Sequence, residues 1–322
     1  MHTASLSRLG ELKMTAVESV SALAESLGVE AELGMLRVLL AEWTEKASPE
    51  VREMLRWQLL DRSKYFRPAT IFACHRSMNG GRIPTSLLRS AVALELFHNV
   101  SLIVDDILDR SRQRRGKATL HCRFGNLPAL MAAGYLAAGV FQLIASDRYS
   151  VRLLSELMQR LGIAECVQWR LRRQPLGVAD WRAIAAEDTG SMFEVCARLG
   201  TRDERLKRFG LLLGILYHGC DDVGDVRGAA ALGGGRDEDL RDGILTLPVA
   251  IAIRDPEVAV LFRTGDRYGG RALIKRMRDV LSEAETYLDE IATSAEEEAR
   301  RNALDPEPLM ELVRRTRALS KC

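Results

Sequence analysis

Apolar residues recur at three- and four-residue intervals along almost the whole chain, and no stretch alternates apolar with β-branched polar residues as a half-buried strand does. The spacing predicts an all-α protein with helices over about 15–46, 49–62, 67–77, 85–110, 128–145, 150–173, 179–200, 204–224, 245–253, 256–264, 268–300 and 307–319. Breaks fall where loop chemistry concentrates, at Asn79-Gly80-Gly81, Gln174-Pro175-Leu176-Gly177 and Gly233-Gly234-Gly235. None of them has the length or low complexity of an interdomain linker. The expectation is therefore a large single domain over 1–322, a bundle of long helices around a central cavity. Between Arg123 and Asp147 no residue is charged, a stretch just long enough to span a bilayer. Its glycines, alanines and Pro128 suit a helix packed inside the bundle better, and no transmembrane segment is expected.

Two helix-like runs end in acidic clusters of one form, Asp105-Asp106-Ile107-Leu108-Asp109 and Asp221-Asp222-Val223-Gly224-Asp225. In a helix of 3.6 residues per turn, Asp105 and Asp109 share a face, as do Asp221 and Asp225. Like charges at that spacing destabilise an isolated helix, so both clusters call for a bound cation. Hard carboxylate oxygens suit Mg²⁺, which completes its octahedron with water and substrate phosphates. No proline falls between 85 and 127 or between 176 and 247, so each cluster sits at the end of a long helix. Two such helices facing one another make a cavity that is ionic at its mouth and apolar below.

Basic residues lie close by in sequence. Gln113-Arg114-Arg115-Gly116-Lys117 follows the first cluster, and arginine makes bidentate, permanently charged contacts to phosphate oxygens. Lys64 and Arg67 stand at a helix start, where free backbone N–H groups favour anions. His98 lies two turns before Asp105 and joins Lys64, Arg67 and Arg115 as a second anion site. Overall the 46 basic and 44 acidic residues nearly cancel, so no global field attracts nucleic acid. Six scattered cysteines without CxxC spacing fit a reducing, cytoplasmic setting, and the first twenty residues lack the apolar core of a signal peptide.

With these residues in place, the chain resembles the trans-isoprenyl diphosphate synthases, the farnesyl and geranylgeranyl diphosphate synthase family. The resemblance runs from about Lys64 to Pro248 and is carried by ELFHNVSLIVDDILDRSRQRRGKATLHCRFG (95–125), YHGCDDVGD (217–225) and GRDEDLRDGILTLP (235–248). It implies a dimeric all-α enzyme that condenses an allylic diphosphate with isopentenyl diphosphate using Mg²⁺, with three ions bound alongside the allylic diphosphate. It also implies that Asp105, Asp109 and Asp221 lead the metal ligands, supported by Asp106, Asp222 and Asp225. Arg114 would hold the allylic diphosphate, Lys64, Arg67, His98 and Arg115 the isopentenyl diphosphate, and Thr189 would stand near the reacting carbons.

The chain departs from the family pattern on the allylic side. Asp188 stands where a lysine precedes Thr189, the segment around Gly234 lacks a lysine for which Arg236 would substitute, and Ile244 replaces another. Losing cations there predicts a slow or selective enzyme. Four and five positions before Asp105 stand Ser101 and Val100, where farnesyl-specific members often carry an aromatic ring. Phe97, about 12 Å deeper along the helix, is the first large floor residue, which favours geranylgeranyl diphosphate as product. Two alternatives stand beside this reading: a class I terpene cyclase or irregular coupling enzyme, and a weakly active or regulatory subunit of a synthase heteromer. Ala229, eight positions beyond Asp221, departs from the pattern of such cyclases.

Overall fold

The computed structural model describes residues 23–60, 63–228, 236–265 and 269–321. Helical periodicity becomes helix along nearly all of them. In chain order they are α1 (Glu30–Glu45), α2 (Pro49–Leu59), α3 (Phe66–Asn79), α4 (Thr85–Leu108), α5 (Leu120–Phe124), α6 (Asn126–Leu143), α7 (Arg148–Leu171) and α8 (Val178–Ala185). There follow α9 (Ser191–Thr201), α10 (Lys207–Arg227), α11 (Arg236–Asp242), α12 (Leu247–Ala252), α13 (Pro256–Thr264), α14 (Gly269–Asp279), α15 (Leu281–Asn302) and α16 (Glu307–Ala318).

Three expected helices are interrupted. Gly28, with a φ of +62°, separates helical residues 23–27 from α1. Val280 divides α14 from α15. The helix expected over 179–200 contains a π turn, Ala186–Gly190, between α8 and α9. Apolar spacing is the same on both sides of such a turn, so periodicity alone does not reveal it. Three short elements were also missed, α5, α11 and a hairpin of β1 (Gln113–Arg114) and β2 (Lys117–Ala118). The hairpin pairs Gln113 with Ala118 and Arg114 with Lys117, and its turn residues Arg115 and Gly116 both have positive φ, as a two-residue type I′ turn requires.

Helix α10 runs through the middle of the bundle, packed on α9, α15, α16, α12, α8 and the π turn, while α4 packs on α6, α3, α1 and α2. Trp181, Phe72, Phe193, Phe209 and Phe262 fill the core between these layers. Helix α6 corrects one expectation, because only 33% of its most apolar window is buried, against 72% for α4. Both are long and apolar enough to cross a membrane by length and composition. One face of α6 packs on α4, with Gly139 against Trp43 of α1, whereas Leu127, Leu130 and Met131 are exposed.

Candidate active site

The first acidic cluster closes α4, with Asp109 as its C-cap, and the second lies within the last two turns of α10. A 100° step along each helix separates the aspartates into two kinds. Asp106 is buried and bound by Arg114 Nε at 2.7 Å. Asp222 is buried too, and its Oδ2 accepts from Trp181 Nε1 and from the Leu247 backbone N–H, each at 2.8 Å. These two carboxylates tie the cluster ends to the hairpin, α8 and α12.

The others are less well supplied. Burial, reinforced by the Glu165 and Asp188 carboxylates, pushes Asp105 well above the usual carboxylate range. Burial and the neighbouring Asp222 push Asp221 up to about 6, although His218, Lys64 and Arg114 oppose them, and its Oδ1 is buried with no hydrogen-bond partner. Asp109 is raised by burial despite Arg172, whose Nη2 donates to it at 2.8 Å. Asp225 belongs to the same field, since burial together with Asp222, Asp225 and Asp221 drives Asp239 of α11 far upward. Among the described residues no three His, Cys, Asp or Glu side chains converge into a preformed cation site.

The basic residues gather where the sequence placed them. Arg67 Nη1 lies 3.0 Å from His98 Nε2, and its guanidinium rests on the rings of Phe193 and Tyr217. Burial, with Arg67, Arg115 and Arg114 adding to it, holds His98 well below the ordinary histidine range, so it is neutral at pH 7. A neutral ring accepting from Arg67 through Nε2 carries its proton on Nδ1, and that buried atom has no partner; neither has Arg67 Nε. Glu95, buried on α4 beside this group, is raised by burial, which Arg115 and Arg67 oppose. Lys64 acts electrostatically on Asp221 and so lies within reach of the second cluster.

The π turn carries Asp188 and Thr189 to the same place. His218 Nδ1 lies 3.3 Å from Asp188 Oδ2 and 3.0 Å from Thr189 Oγ1. Burial lowers the pKa of His218, but Asp222 and Asp188 outweigh it and raise the imidazole to about 9. Burial raises Asp188, and the His218 contact more than offsets it, leaving the carboxyl below its ordinary value. The Asp188 carboxylate that stands in place of the expected lysine therefore faces a cationic histidine. An apolar pocket of about 300 Å³, lined by Ile163, Val167, Leu171 and Ile184, adjoins Asp188.

Several participants escaped the sequence reading. Arg172, Glu165, His218 and Asp239 are brought in by α7, α10 and α11; His218, three positions before Asp221, and Asp239, inside the 235–248 motif, had a sequence signal, whereas Arg172 and Glu165 had none. Glu165 is pushed up to about 7 by burial, Asp188 and Asp109. Ile244 is half-buried and donates its N–H to the Asp239 backbone carbonyl. Gly234 and the Arg236 side chain lie outside the described residues. Phe97 is buried in the core, and Val100 and Ser101 are half-buried.

An all-helical bundle with two acidic helix ends facing a buried basic group defines a class of protein that handles polyanionic substrates beside an apolar wall. The chain matches the polyprenyl synthetase family over residues 48–268, and it belongs to that family. It is thereby a prenyltransferase. The octaprenyl diphosphate synthase of Haemophilus influenzae is 29% identical over 254 residues, which is 74% of this chain and 76% of that protein. Geranylgeranyl pyrophosphate synthase 4 of Arabidopsis thaliana is 27% identical over 226 residues, 63% of this chain and 60% of the plant protein, so that match spans less than two thirds of its length. Among solved structures, the heptaprenyl diphosphate synthase of Staphylococcus aureus superposes with a TM-score of 0.82 at 21% identity, covering 91% of this chain and 98% of that one. A polyprenyl synthase of Caulobacter crescentus complexed with calcium and isoprenyl diphosphate gives 0.81 at 23% identity, over 94% and 97%.

Proposed function

We propose that this prenyltransferase is a Mg²⁺-dependent (E)-prenyl diphosphate synthase, condensing isopentenyl diphosphate with an allylic diphosphate. The observation that carries the reading is a set of buried polar atoms without partners. Arg67 Nε and His98 Nδ1 are donors awaiting an anion, while Asp221 Oδ1 is an acceptor awaiting a cation. A folded protein leaves such groups unpaired at a cost of about 1–3 kcal/mol each, which a ligand recovers. The raised carboxylates fit a divalent ion in the same way, because the ion replaces the proton that burial favours. Since no closed set of three ligands is present among the described residues, substrate phosphate oxygens are needed to complete each ion's shell.

In this reading Asp105, Asp109 and Asp221, with Asp225 beside them, hold three Mg²⁺ ions together with the allylic diphosphate. The bound ions supply Lewis acidity that makes the diphosphate a better leaving group. Arg114, kept in place by Asp106, faces that diphosphate. Arg67, His98, Arg115 and Lys64 hold isopentenyl diphosphate, with neutral His98 donating from Nδ1. The C–O bond of the allylic diphosphate breaks with its electron pair on the leaving oxygen. The isopentenyl double bond then attacks the allylic carbon, and a proton is lost. Tyr217 and Phe193, beside the Arg67 guanidinium, exclude water from the allylic cation left by that cleavage.

The product we favour is geranylgeranyl diphosphate, since Val100 and Ser101 leave room above Phe97. The Phe97→Ala variant should lengthen it, and an unchanged product distribution would place the floor elsewhere. The exposed apolar stripe of α6, Leu127, Leu130 and Met131, supports pairing of two copies into a homodimer. The scattered cysteines support a cytoplasmic setting, and the continuity of the core from α1 to α16 supports one domain. The deciding experiment incubates the protein with Mg²⁺, isopentenyl diphosphate and C5, C10 or C15 allylic diphosphates, and reads product mass. A C20 product is expected, whereas no elongation from any starter would sink the reading.

A further inference from the structure

Helix α10 presents Gly214, His218 and Asp222 at four-residue steps, one face of the helix, and that face meets the π turn and α8. At Gly214 the approach is backbone to backbone: a Cβ there would lie 2.6 Å from Gly190 Cα and 2.8 Å from the Thr189 carbonyl oxygen. One turn on, His218 sits among four groups. Its Nδ1 is 3.3 Å from Asp188 Oδ2 and 3.0 Å from Thr189 Oγ1, and its Nε2 is 3.9 Å from Asp222 Oδ1. Its ring lies 6.0 Å from that of Trp181, which itself donates to Asp222. Thr189 Oγ1 donates back to Asp188 Oδ2 at 3.3 Å, closing a triangle of His218, Asp188 and Thr189.

We propose that His218 is a positioning residue for prenyl transfer, tying the Asp188-Thr189 turn to the second aspartate cluster and turning the Asp188 carboxylate onto itself, away from the allylic diphosphate. Asp188 and His218 then form a matched pair, and neither is a defect that one substitution repairs. Placing lysine at 188 with His218 unchanged sets two nitrogen bases against one another and leaves Thr189 without its carboxylate acceptor. Placing glutamine at 218 with Asp188 unchanged releases the carboxylate toward the substrate. Only the two changes together set an uncharged amide beside the new cation. The inference rests on the prenyl-transfer reading above, and its test separates the two.

The experiment is a double-mutant cycle on the full-length protein, using Asp188→Lys, His218→Gln and the combination, with His218→Asn as a second variant if glutamine fails to fold. Each single change should lower kcat/KM for the allylic diphosphate by about tenfold, and the double variant should recover to within about threefold of the wild type. The effect should appear in allylic KM and kcat with isopentenyl KM unmoved, a split that a general loss of structure does not produce. Backbone hydrogen exchange over 186–190 should quicken in His218→Gln while the rest of α9 stays protected. Additive losses, or a gain from Asp188→Lys alone, overturn the proposal. Should the wild type elongate no starter, the prenyl-transfer reading falls by itself; exchange over 186–190 unchanged in His218→Gln would then remove the tie as well.

Discussion

Asp147 and Asp221 are the same residue in one bundle, yet their surroundings move them in opposite directions. Asp147 caps α7, accepting from the Ser150 N–H and hydroxyl, and Arg202 grips it with two bonds of 2.7 and 2.8 Å. The Arg202 contact holds its carboxyl far below the usual range. Asp221 is buried beside another carboxylate with one oxygen unpartnered, and sits at about 6. The first carboxylate stabilises the fold by being charged; the second destabilises it by being charged. Perturbation upward by burial and like charge gathers at Asp105, Asp109, Asp221, Glu165 and Asp239. That gathering marks a functional site, where stability is given up so that a ligand can supply what is missing.

The sharpest test replaces Asp221 by asparagine. Turnover should fall by about a thousandfold or more, because on the proposed reading the change removes a metal-binding oxygen where leaving-group charge develops. In chelator-treated buffer the same variant should be more stable than the wild type, by up to about 3 kcal/mol, from roughly two pKa units at 1.36 kcal/mol each. The sign follows from linkage. A carboxyl raised to about 6 in the folded chain costs stability when ionised, so the gain is full above pH 6 and vanishes below pH 4. Thermal melts of both proteins at pH 7.5 and pH 4 would show it, and equal melting at pH 7.5 would break the comparison.

Asp147→Ala should do the reverse. Losing the cap and the arginine pair should cost about 1–2 kcal/mol at pH 7 while activity stays near wild type. A carboxyl held low stabilises above its unfolded pKa, so this loss should shrink as pH falls below about 4. Denaturant unfolding at pH 7 and pH 3 reads it. The smallest effect belongs to Glu311, which Arg314 and Arg315 bind on the outer face of α16 at 2.9 and 2.7 Å. Such a surface pair contributes little, and Glu311→Gln should change stability by less than about 1 kcal/mol and activity not at all.

The sequence by itself determined the helical class, both acidic helix ends and the basic residues around them, for a physical reason. Apolar period, loop residues and the one-turn spacing of Asp105 with Asp109 and Asp221 with Asp225 are local properties, legible without tertiary contacts. His98 and Arg115 could be paired with the first cluster because they flank it in sequence, and Arg67 was marked by its place at a helix start. Burial and long-range contact were not legible. Only the tertiary structure decided that Asp106 and Asp222 are tied to Arg114 and Trp181, and that Arg172 and Glu165 reach the first cluster from α7. It also decided that Asp188 meets His218 across 30 positions of chain. A carboxylate's role depends on what else fills its volume, and the residues that fill it come from helices far apart in sequence.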